Sequence, residues 1–329
     1  MLRSWWRPVT GAVILLLLGW RIGAGPFLDG LRGLSLATLL AAVLVTAVTT
    51  ICSAARWRVI AAGLGVGLTL RGAVAAYYRS QFLNSALPGG VLGDVHRGMR
   101  HGQDVENVGG GLRAVALERT AGQFVQTTLA VVVLLVLASP VRSAMPKVLL
   151  ITVLAVLVAA LLVRRFRLSR LRLGRAIGSD LRRGLLHRGA WPTVLATSAA
   201  VVAGHAVIFF IAARASGAEV SWTRLLPLTM LALLAMSVPL SVGGWGPREG
   251  VTAWAFAAAG LGVDQGIATA TAYGVMAFVA TLPGAILLVT DALRRRPVAI
   301  TAAVPMPMPM PVPMPVPVHA IAGAGAGHG

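Results

Sequence analysis

Charged residues and cysteine are both scarce in this sequence. Charged residues make up 12% of the 329, and Cys52 is the single cysteine, whereas an ordinary globular domain is about 25% charged. One cysteine excludes an intramolecular disulfide and a zinc site built on cysteines. The hydrophobic share of 57% and the mean hydropathy of +0.81 exclude an ordinary soluble protein. Because a membrane-spanning helix needs about 20 mostly apolar residues, the composition predicts an all-α, polytopic integral membrane helical bundle.

Acidic residues are also few, with 10 Asp and Glu against 29 Lys and Arg, so the net charge is +19. Such an excess can indicate nucleic-acid binding, but the hydropathy favours a membrane protein whose basic residues face anionic lipid head groups on the cytoplasmic side. We therefore expect a multi-pass protein of the cell membrane with a cytoplasmic N-terminus. Membrane lipids with anionic or aminoacylated head groups are the expected partners, and nucleic acid is not.

About six apolar segments are predicted to cross the membrane. They are residues 9–19, 34–55, 112–138, 148–163, 191–213 and 266–290. The first resembles the apolar core of a signal peptide, but no convincing small-residue cleavage site follows it, so we predict a retained anchor. The second ends at Arg56-Trp57-Arg58, which is typical of an aromatic residue at the membrane surface beside basic residues.

Two further apolar segments are interrupted. Residues 70–87 run into Pro88-Gly89-Gly90, and residues 225–242 run into the sequence GGWGPREG at 243–250. A continuous helix does not tolerate such Gly/Pro breaks, so we predict two re-entrant helical hairpins. Paired interrupted segments in the two halves of a chain are typical of inverted-repeat transporters, and the two breaks suggest such a repeat here.

The distribution of basic residues along the chain favours one membrane topology over the others. If the first hairpin enters from the cytoplasm and the second from outside, the Arg-rich loop 164–190 and the Arg triplet 294–296 both lie in the cytoplasm. Other arrangements survive if both interrupted segments cross fully.

We assign residues 1–297 to the membrane domain and 298–329 to a disordered tail, because a tract rich in Pro/Met and Ala/Gly cannot build a core.

The chemistry-bearing residues lie at or near the two breaks. The candidate substrate-binding residues are Asn84, Asp94, Arg97, Glu118, Arg119, Arg248 and Glu249. The predicted structural breaks are Pro88, Gly89, Gly90, Gly243, Gly244 and Gly246. Ionisable residues within the membrane are costly and usually functional, and irregular backbone is tolerated there where it lines a cavity. Because guanidinium groups and helix N-termini suit phosphate, we expect a cavity that holds an anionic head group, with the carboxylates balancing the charge or binding a cationic group.

Structural roles are the alternative for the same residues. Asp94 could cap its helix, and Glu249 could complement a helix dipole. For Glu118 and Arg119 an ion pair near the membrane surface is the favoured interpretation, and His205, alone in its span, is expected to pack against a neighbour or form a hydrogen bond with it. A basic patch expected to face lipid head groups comprises His96, Arg97, Arg100 and His101.

No enzyme signature is present in the sequence. There is no Gly-x-Ser-x-Gly elbow, no His-Glu-x-x-His motif and no P-loop. No stretch is long and polar enough for a soluble catalytic domain. We therefore predict no catalytic residue, no metal site and no cofactor.

Three motifs, in order, resemble the lysylphosphatidylglycerol synthase transmembrane-region family, which is flippase-like. They are YYRSQFLNSALPGG at 77–90 with Gly93-Asp94 and Arg97 after it, Leu117-Glu118-Arg119, and GGWGPRE at 243–249. The resemblance runs over about residues 8 to 295. It implies a membrane domain that moves aminoacylated phospholipid across the bilayer, or one linked to polyprenyl-phosphate sugar pathways. In the family the synthase activity resides in a separate soluble domain, which we expect this chain to lack.

Three functions follow as hypotheses. The first is a translocase for a phospholipid or polyprenyl-phosphate-type lipid with a charged head group. The second is a non-transporting accessory protein that contacts an envelope-lipid enzyme, such as a prenyl-lipid glycosyltransferase. The third and weakest is an intramembrane enzyme that acts on a prenyl phosphate through Asp94 and Glu249.

Overall fold

The regular structure of the chain is helical. A computed structural model describes residues 25–87, 90–141, 172–185, 189–237 and 245–294. The helices within these ranges are α1 (Gly25–Arg32), α2 (Leu36–Gly63), α3 (Leu70–Ala86), α4 (Leu92–Asp104), α5 (Val108–Val136), α6 (Arg172–Gly184), α7 (Ala190–Ala215), α8 (Trp222–Met236), α9 (Pro247–Ala258) and α10 (Val263–Arg294). The predicted all-α class is confirmed.

Four of these helices are long and apolar enough to cross a membrane, namely α2, α5, α7 and α10. They coincide with four of the six predicted spans, while the predicted spans 9–19 and 148–163 and the tail 298–329 lie outside the described residues. Along α2, exposed apolar side chains recur every three or four residues and so form one stripe, consisting of Leu36, Leu40, Leu44, Val48 and Ile51. A long exposed apolar stripe is unfavourable in water and suits contact with lipid. The chain is a multi-pass membrane protein.

The first predicted hairpin is formed by α3 and α4, which pack against each other. Thr69 begins α3 by accepting a hydrogen bond from the Gly72 backbone N–H at 3.2 Å. The helix ends at Leu87, whose backbone is extended, because a residue before proline avoids the α conformation. The chain reverses through Gly90, whose φ of 62° favours glycine.

The second predicted hairpin is formed by α8 and α9. The break between them includes residues 238–244, which lie outside the described residues. Gly246 has a φ of 102°, and Pro247 then occupies the first position of α9, where its missing N–H costs nothing. At the open end of the hairpin the Arg224 side chain donates to the Ala259 carbonyl at 3.1 Å.

The two hairpins open at opposite ends of the bundle. The first opens beside the end of α2. His101, in the last turn of α4, donates from Nε2 to the carbonyl of Val66, which follows α2, at 2.7 Å. The second opens beside the end of α7. Gln265, in the first turn of α10 and so shortly after α9, donates from Nε2 to the carbonyl of Ser216, which caps α7, at 2.9 Å. Helix α7 runs antiparallel to α2, since Arg56 contacts Ser198 and a Cβ built on Gly204 would meet Thr49.

Because α2 and α7 are antiparallel, their C-terminal ends, which carry the two openings, lie at opposite ends of the bundle. The order is span, hairpin, span in α2–α5 and again in α7–α10, with the second unit inverted. This is the arrangement expected of an inverted repeat.

Small residues let the hairpins pack tightly against their neighbours. A Cβ on Gly93 would lie 2.1 Å from the Ser80 carbonyl oxygen, and a Cβ on Gly284 would lie 2.1 Å from that of Tyr78. Small residues at membrane helix interfaces allow such close backbone approach. The first turn of α4 is thereby held directly against α3, with α10 on the other side of α3.

Candidate functional site

Asp94 is surrounded by donors from three helices. Its Oδ1 accepts from Ser80 Oγ at 3.0 Å and from Arg97 Nη2 at 3.0 Å, and its Oδ2 accepts from Asn84 Nδ2 at 3.0 Å. Arg119 Nη2, from α5, lies 2.5 Å from Oδ2. Both carboxylate oxygens are therefore shared between a neutral donor of α3 and a guanidinium group.

The helix-capping role considered for Asp94 is not the one observed. The N-cap of α4 is Val91, which makes no side-chain cap, and Asp94 lies in the first turn. A carboxylate in the first turn still complements the helix dipole, but the partners of Asp94 are side chains of α3, α4 and α5. Its position is therefore set by tertiary contacts.

Glu118 lies deep within α5 and is fully buried. It follows the helix start by ten residues, or about 15 Å along the axis at 1.5 Å per residue. Arg56 Nε donates to Oε1 at 2.8 Å, with a second contact from Arg56 Nη2, and Arg97 Nη2 donates to Oε2 at 3.1 Å. The favoured interpretation of Glu118 and Arg119 as an ion pair near the membrane surface is wrong, because Glu118 is buried and each residue pairs with other helices.

Arg97 occupies the centre of this arrangement and is only 2% exposed. Its Nη2 contacts both Asp94 and Glu118, and its Cζ lies 4.0 Å from the ring centroid of Tyr77 and 4.5 Å from that of Trp57. A desolvated cation held against aromatic faces gains about 2 kcal/mol. Among the described residues, its Nε and Nη1 have no hydrogen-bond partner, so the guanidinium keeps unused donors.

These side chains form one chain of alternating charges, which we call the charge network and which consists of Arg56, Glu118, Arg97, Asp94 and Arg119. It contains three cations and two anions and joins α2, α5 and α4. Its outer member, Arg119, has a side chain that is half exposed, whereas the other four are buried. An unbalanced positive charge in a buried setting is costly, and an anion bound at Arg119 would balance it.

Arg248 and Glu249 form a second buried pair at the start of α9. Arg248 Nε donates to Glu249 Oε1 at 3.0 Å, with a second contact from Nη2, and Glu249 Oε2 accepts from the Gly246 backbone N–H at 2.7 Å. The role of complementing a helix terminus is therefore observed for Glu249. Arg248 Cζ also lies 4.7 Å from the ring centroid of Trp245.

This second cluster extends to α10 and α7. Arg248 Cζ lies 5.5 Å from the ring centroid of Tyr273, whose hydroxyl is 2.9 Å from His205 Nδ1. The expectation that His205 forms a hydrogen bond within the bundle is confirmed. A Cβ on Gly274 would lie 2.2 Å from Arg248 Nη2, so the absence of a side chain there makes room for the guanidinium.

The structure divides the candidate residues between two places. The first hairpin brings together Asn84, Asp94, Arg97, Glu118 and Arg119, while Arg248 and Glu249 lie at the second hairpin. Within the described ranges, no hydrogen bond, ion pair or ring contact joins the two groups. Of the predicted breaks, Gly90 and Gly246 are turn residues with positive φ, while Pro88, Gly89, Gly243 and Gly244 lie outside the described residues.

Arg56 and Trp57 do not form the predicted anchor at the membrane surface. Helix α2 continues to Gly63, eight residues beyond the predicted end of the span, so both side chains lie inside the bundle and are buried. A signal was present in the sequence. The residues Thr46, Thr49, Ser53 and Arg56 recur at intervals of three or four along one helix face, and all are buried. A polar stripe in an apolar helix indicates a face turned towards other helices.

The basic patch also differs from expectation. His101 is buried, donates to the Val66 carbonyl and packs edge-on against Trp57, so it faces the interior. In the part of the chain that the structure describes, no group of three or more His, Cys, Asp or Glu residues could hold a metal ion.

One known protein family matches most of the chain. A family model described as "Lysylphosphatidylglycerol synthase TM region" matches residues 4–284. Neither the search of curated proteins nor the search of solved structures returned a match.

Proposed function

The chain belongs to the lysylphosphatidylglycerol synthase TM region family, and we propose that it is a lipid translocase that passes a charged head group across the membrane. The lipid is a phospholipid or a polyprenyl-phosphate-type lipid. The matched model describes a membrane region, and the proposal assigns no catalysis to it. The observation that carries the proposal is the charge network, with three guanidinium groups against two carboxylates, which joins one helix of the first hairpin to α2 and α5.

The network can exchange partners with a lipid. Asp94 contacts both Arg97 and Arg119, and Glu118 contacts both Arg56 and Arg97. A head-group phosphate that displaces the Asp94 carboxylate from Arg119 leaves Asp94 paired with Arg97. An amine of an aminoacylated head group could in turn pair with the released carboxylate oxygen. Because each step replaces one charge-assisted contact with another, no charge is left unpaired at membrane depth.

The second cluster supplies a matching site at the opposite hairpin. Arg248 and Glu249 are buried at the start of a half-helix, as Asp94 and Arg97 are. In inverted-repeat transporters, broken helices from the two halves form the site, and the halves move relative to each other to expose it alternately. We propose that a head group passes from one cluster to the other during translocation.

The orientation follows from charge. Arg58, Arg113 and the exposed Arg182 and Arg183 of α6 belong to the end of the bundle where the first hairpin opens, because Gly63 of α2 packs against the Arg183 backbone. By the positive-inside rule this end is cytoplasmic. We therefore propose a cell-membrane protein whose first hairpin opens to the cytoplasm.

The test compares Asp94→Asn and Arg248→Ala with the wild-type chain in proteoliposomes. The probes are phosphatidylglycerol with a fluorescent acyl label and its lysyl ester. A membrane-impermeant quencher or amine reagent reports how fast each lipid exchanges between leaflets. We expect each variant to slow translocation by about tenfold or more, since one charge-assisted hydrogen bond is worth about 1.5–3 kcal/mol.

Asp29→Asn is the matched control, because Asp29 forms an exposed ion pair with Arg32 on α1 and contacts no member of either cluster among the described interactions. It should translocate at the wild-type rate, and all variants should elute as the wild type does in size-exclusion chromatography. Wild-type rates in Asp94→Asn and Arg248→Ala would contradict the proposal. If those variants are harmless while removal of the Arg-rich segment abolishes function, the chain acts as an accessory protein instead.

A further inference from the structure

A cavity of about 330 Å³ lies beside the charge network, between the end of α2, the start of α3 and the length of α4. Its volume is at the lower end of the range for small-molecule sites, which is roughly 300–1,000 Å³. It can hold a head group but not two acyl chains.

The ionisable side chains that line this cavity are mainly basic. Three guanidinium groups, those of Arg79, Arg97 and Arg100, line it together with His96 and His101, against one carboxylate, Asp104. Only one of the three, Arg97, belongs to the charge network. Clustered guanidinium groups are the side chains that bind phosphate oxygens most specifically.

Two of the guanidinium groups share one acid as their ion-pair partner. Asp291 of α10 lies 3.1 Å from Arg79 Nε and 2.9 Å from Arg100 Nη1, and it does not line the cavity. One carboxylate therefore orients two cations while it balances only one of them. Among the described residues no ion pair joins the cavity carboxylate Asp104 to Arg79 or Arg100, so an anion bound in the cavity would balance the other cation.

Buried donors without acceptors adjoin the same space. Trp57 and Arg97 line the cavity and are almost fully buried. Within the described ranges, Trp57 Nε1 and Arg97 Nε and Nη1 have no hydrogen-bond partner. A buried N–H group without an acceptor is costly, and such a group in a native structure calls for an explanation. A ligand with several acceptor oxygens and no donors suits a cavity whose lining side chains carry such groups.

The start of α3 adds a weaker contribution of the same sign. Thr69 and Gly72, in its first turn, line the cavity. The N-terminus of a helix carries a partial positive charge that favours anions. The cavity therefore favours a compact polyanion, because its basic side chains, its donors without acceptors and the helix terminus all act in the same direction.

We propose that this cavity binds the phosphate group of a lipid substrate, through Arg79, Arg97 and Arg100, before the head group reaches the charge network. The proposal rests on the proposed function only for the lipid as the source of the phosphate, because affinity is measured without transport. Arg97 belongs to both the cavity and the charge network, so it would connect docking with translocation.

The experiment measures binding by titration calorimetry, with purified full-length protein in detergent. The probes are dihexanoyl phosphatidic acid, inorganic phosphate and dihexanoylglycerol, which has the same chains without phosphate. We expect phosphatidic acid to bind more tightly than inorganic phosphate, and dihexanoylglycerol not to bind. Arg100→Gln should weaken the binding of phosphatidic acid by about tenfold, as expected for loss of one charge-assisted contact.

Arg71→Gln is the matched control, since Arg71 is exposed on α3 and does not line the cavity. It should change affinity by less than about twofold, because an exposed charge outside the cavity acts only through a screened field. Trp57→Phe is a second variant that keeps an aromatic ring beside Arg97 and removes the N–H. Trp57→Phe should also weaken the binding of phosphatidic acid, so the site can be tested even if Arg100→Gln fails to fold.

The outcomes separate the two proposals. Equal effects of Arg100→Gln and Arg71→Gln, or no binding of either phosphate probe, would overturn the phosphate site. Binding of inorganic phosphate alone would overturn the lipid source. Loss of binding in Arg100→Gln combined with an inactive wild-type chain in the translocation assay would support this site and contradict the translocase.

Discussion

Neutralising Glu118 should be the most destabilising conservative change in the charge network. Glu118→Gln keeps the size of the side chain but removes the charge that Arg56 and Arg97 both contact. Because Glu118 is fully buried and Arg56 nearly so, water cannot replace the lost partner. Breaking a buried ion pair from one side costs about 3–5 kcal/mol, which is a large part of a typical unfolding free energy of about 5–15 kcal/mol.

The assay is the free energy of unfolding in mixed micelles, titrated with a denaturing detergent. The double variant Arg56→Met with Glu118→Gln removes the charge on both sides. We expect it to be less destabilised than the sum of the single variants by about 1–3 kcal/mol, since contacting residues couple by this amount.

Asp29→Asn serves as the control, because the ion pair of Asp29 with Arg32 is exposed on both sides and such pairs are worth about 0–1 kcal/mol. If Glu118→Gln costs no more than Asp29→Asn, the charge network does not stabilise the bundle. Additive single variants would likewise refute the coupling between Arg56 and Glu118.

Two further predictions concern the second cluster. Gly274→Ala should destabilise the protein by about 1–3 kcal/mol, measured by the same titration, because the new Cβ would lie 2.2 Å from Arg248 Nη2. Gly178→Ala on α6, where no atom lies within 4 Å, should instead be neutral or stabilising by up to about 1 kcal/mol, and equal effects would contradict the steric argument. Tyr273→Phe should cost about 1 kcal/mol, because it removes the hydrogen bond to His205. An unchanged free energy of unfolding would mean that this bond contributes nothing net.

The helices could be predicted from the sequence because hydropathy is a local property. Four predicted spans match α2, α5, α7 and α10, since a segment of about 20 apolar residues has few alternatives to a membrane helix. Both hairpins were also predictable, because the Gly/Pro breaks act on the backbone within a few residues. The distribution of arginine along the chain predicts the membrane side from which each hairpin enters, and this stays a prediction.

Helix ends were less predictable, and one error there changed the interpretation of the site. The predicted second span stops at residue 55, whereas α2 continues to Gly63. Hydropathy falls at Arg56, so the sequence places the membrane surface there. In the folded protein Glu118 and Ser198 provide partners for Arg56, and the helix carries this charge into the interior. Such partners lie 62 and 142 residues away along the chain, beyond the reach of a local pattern.

The sequence by itself therefore determined the membrane class, the helical elements and the set of ionisable residues at the breaks, because each depends on neighbours within a turn or two. Only the tertiary structure decided which charges meet. It joined Asp94 and Glu118 through Arg97 and separated them from Arg248 and Glu249. It did so because Gly93 allows α4 to pack directly on α3, and because ionisable side chains within a bilayer are stable only where helices distant in sequence bring opposite charges together.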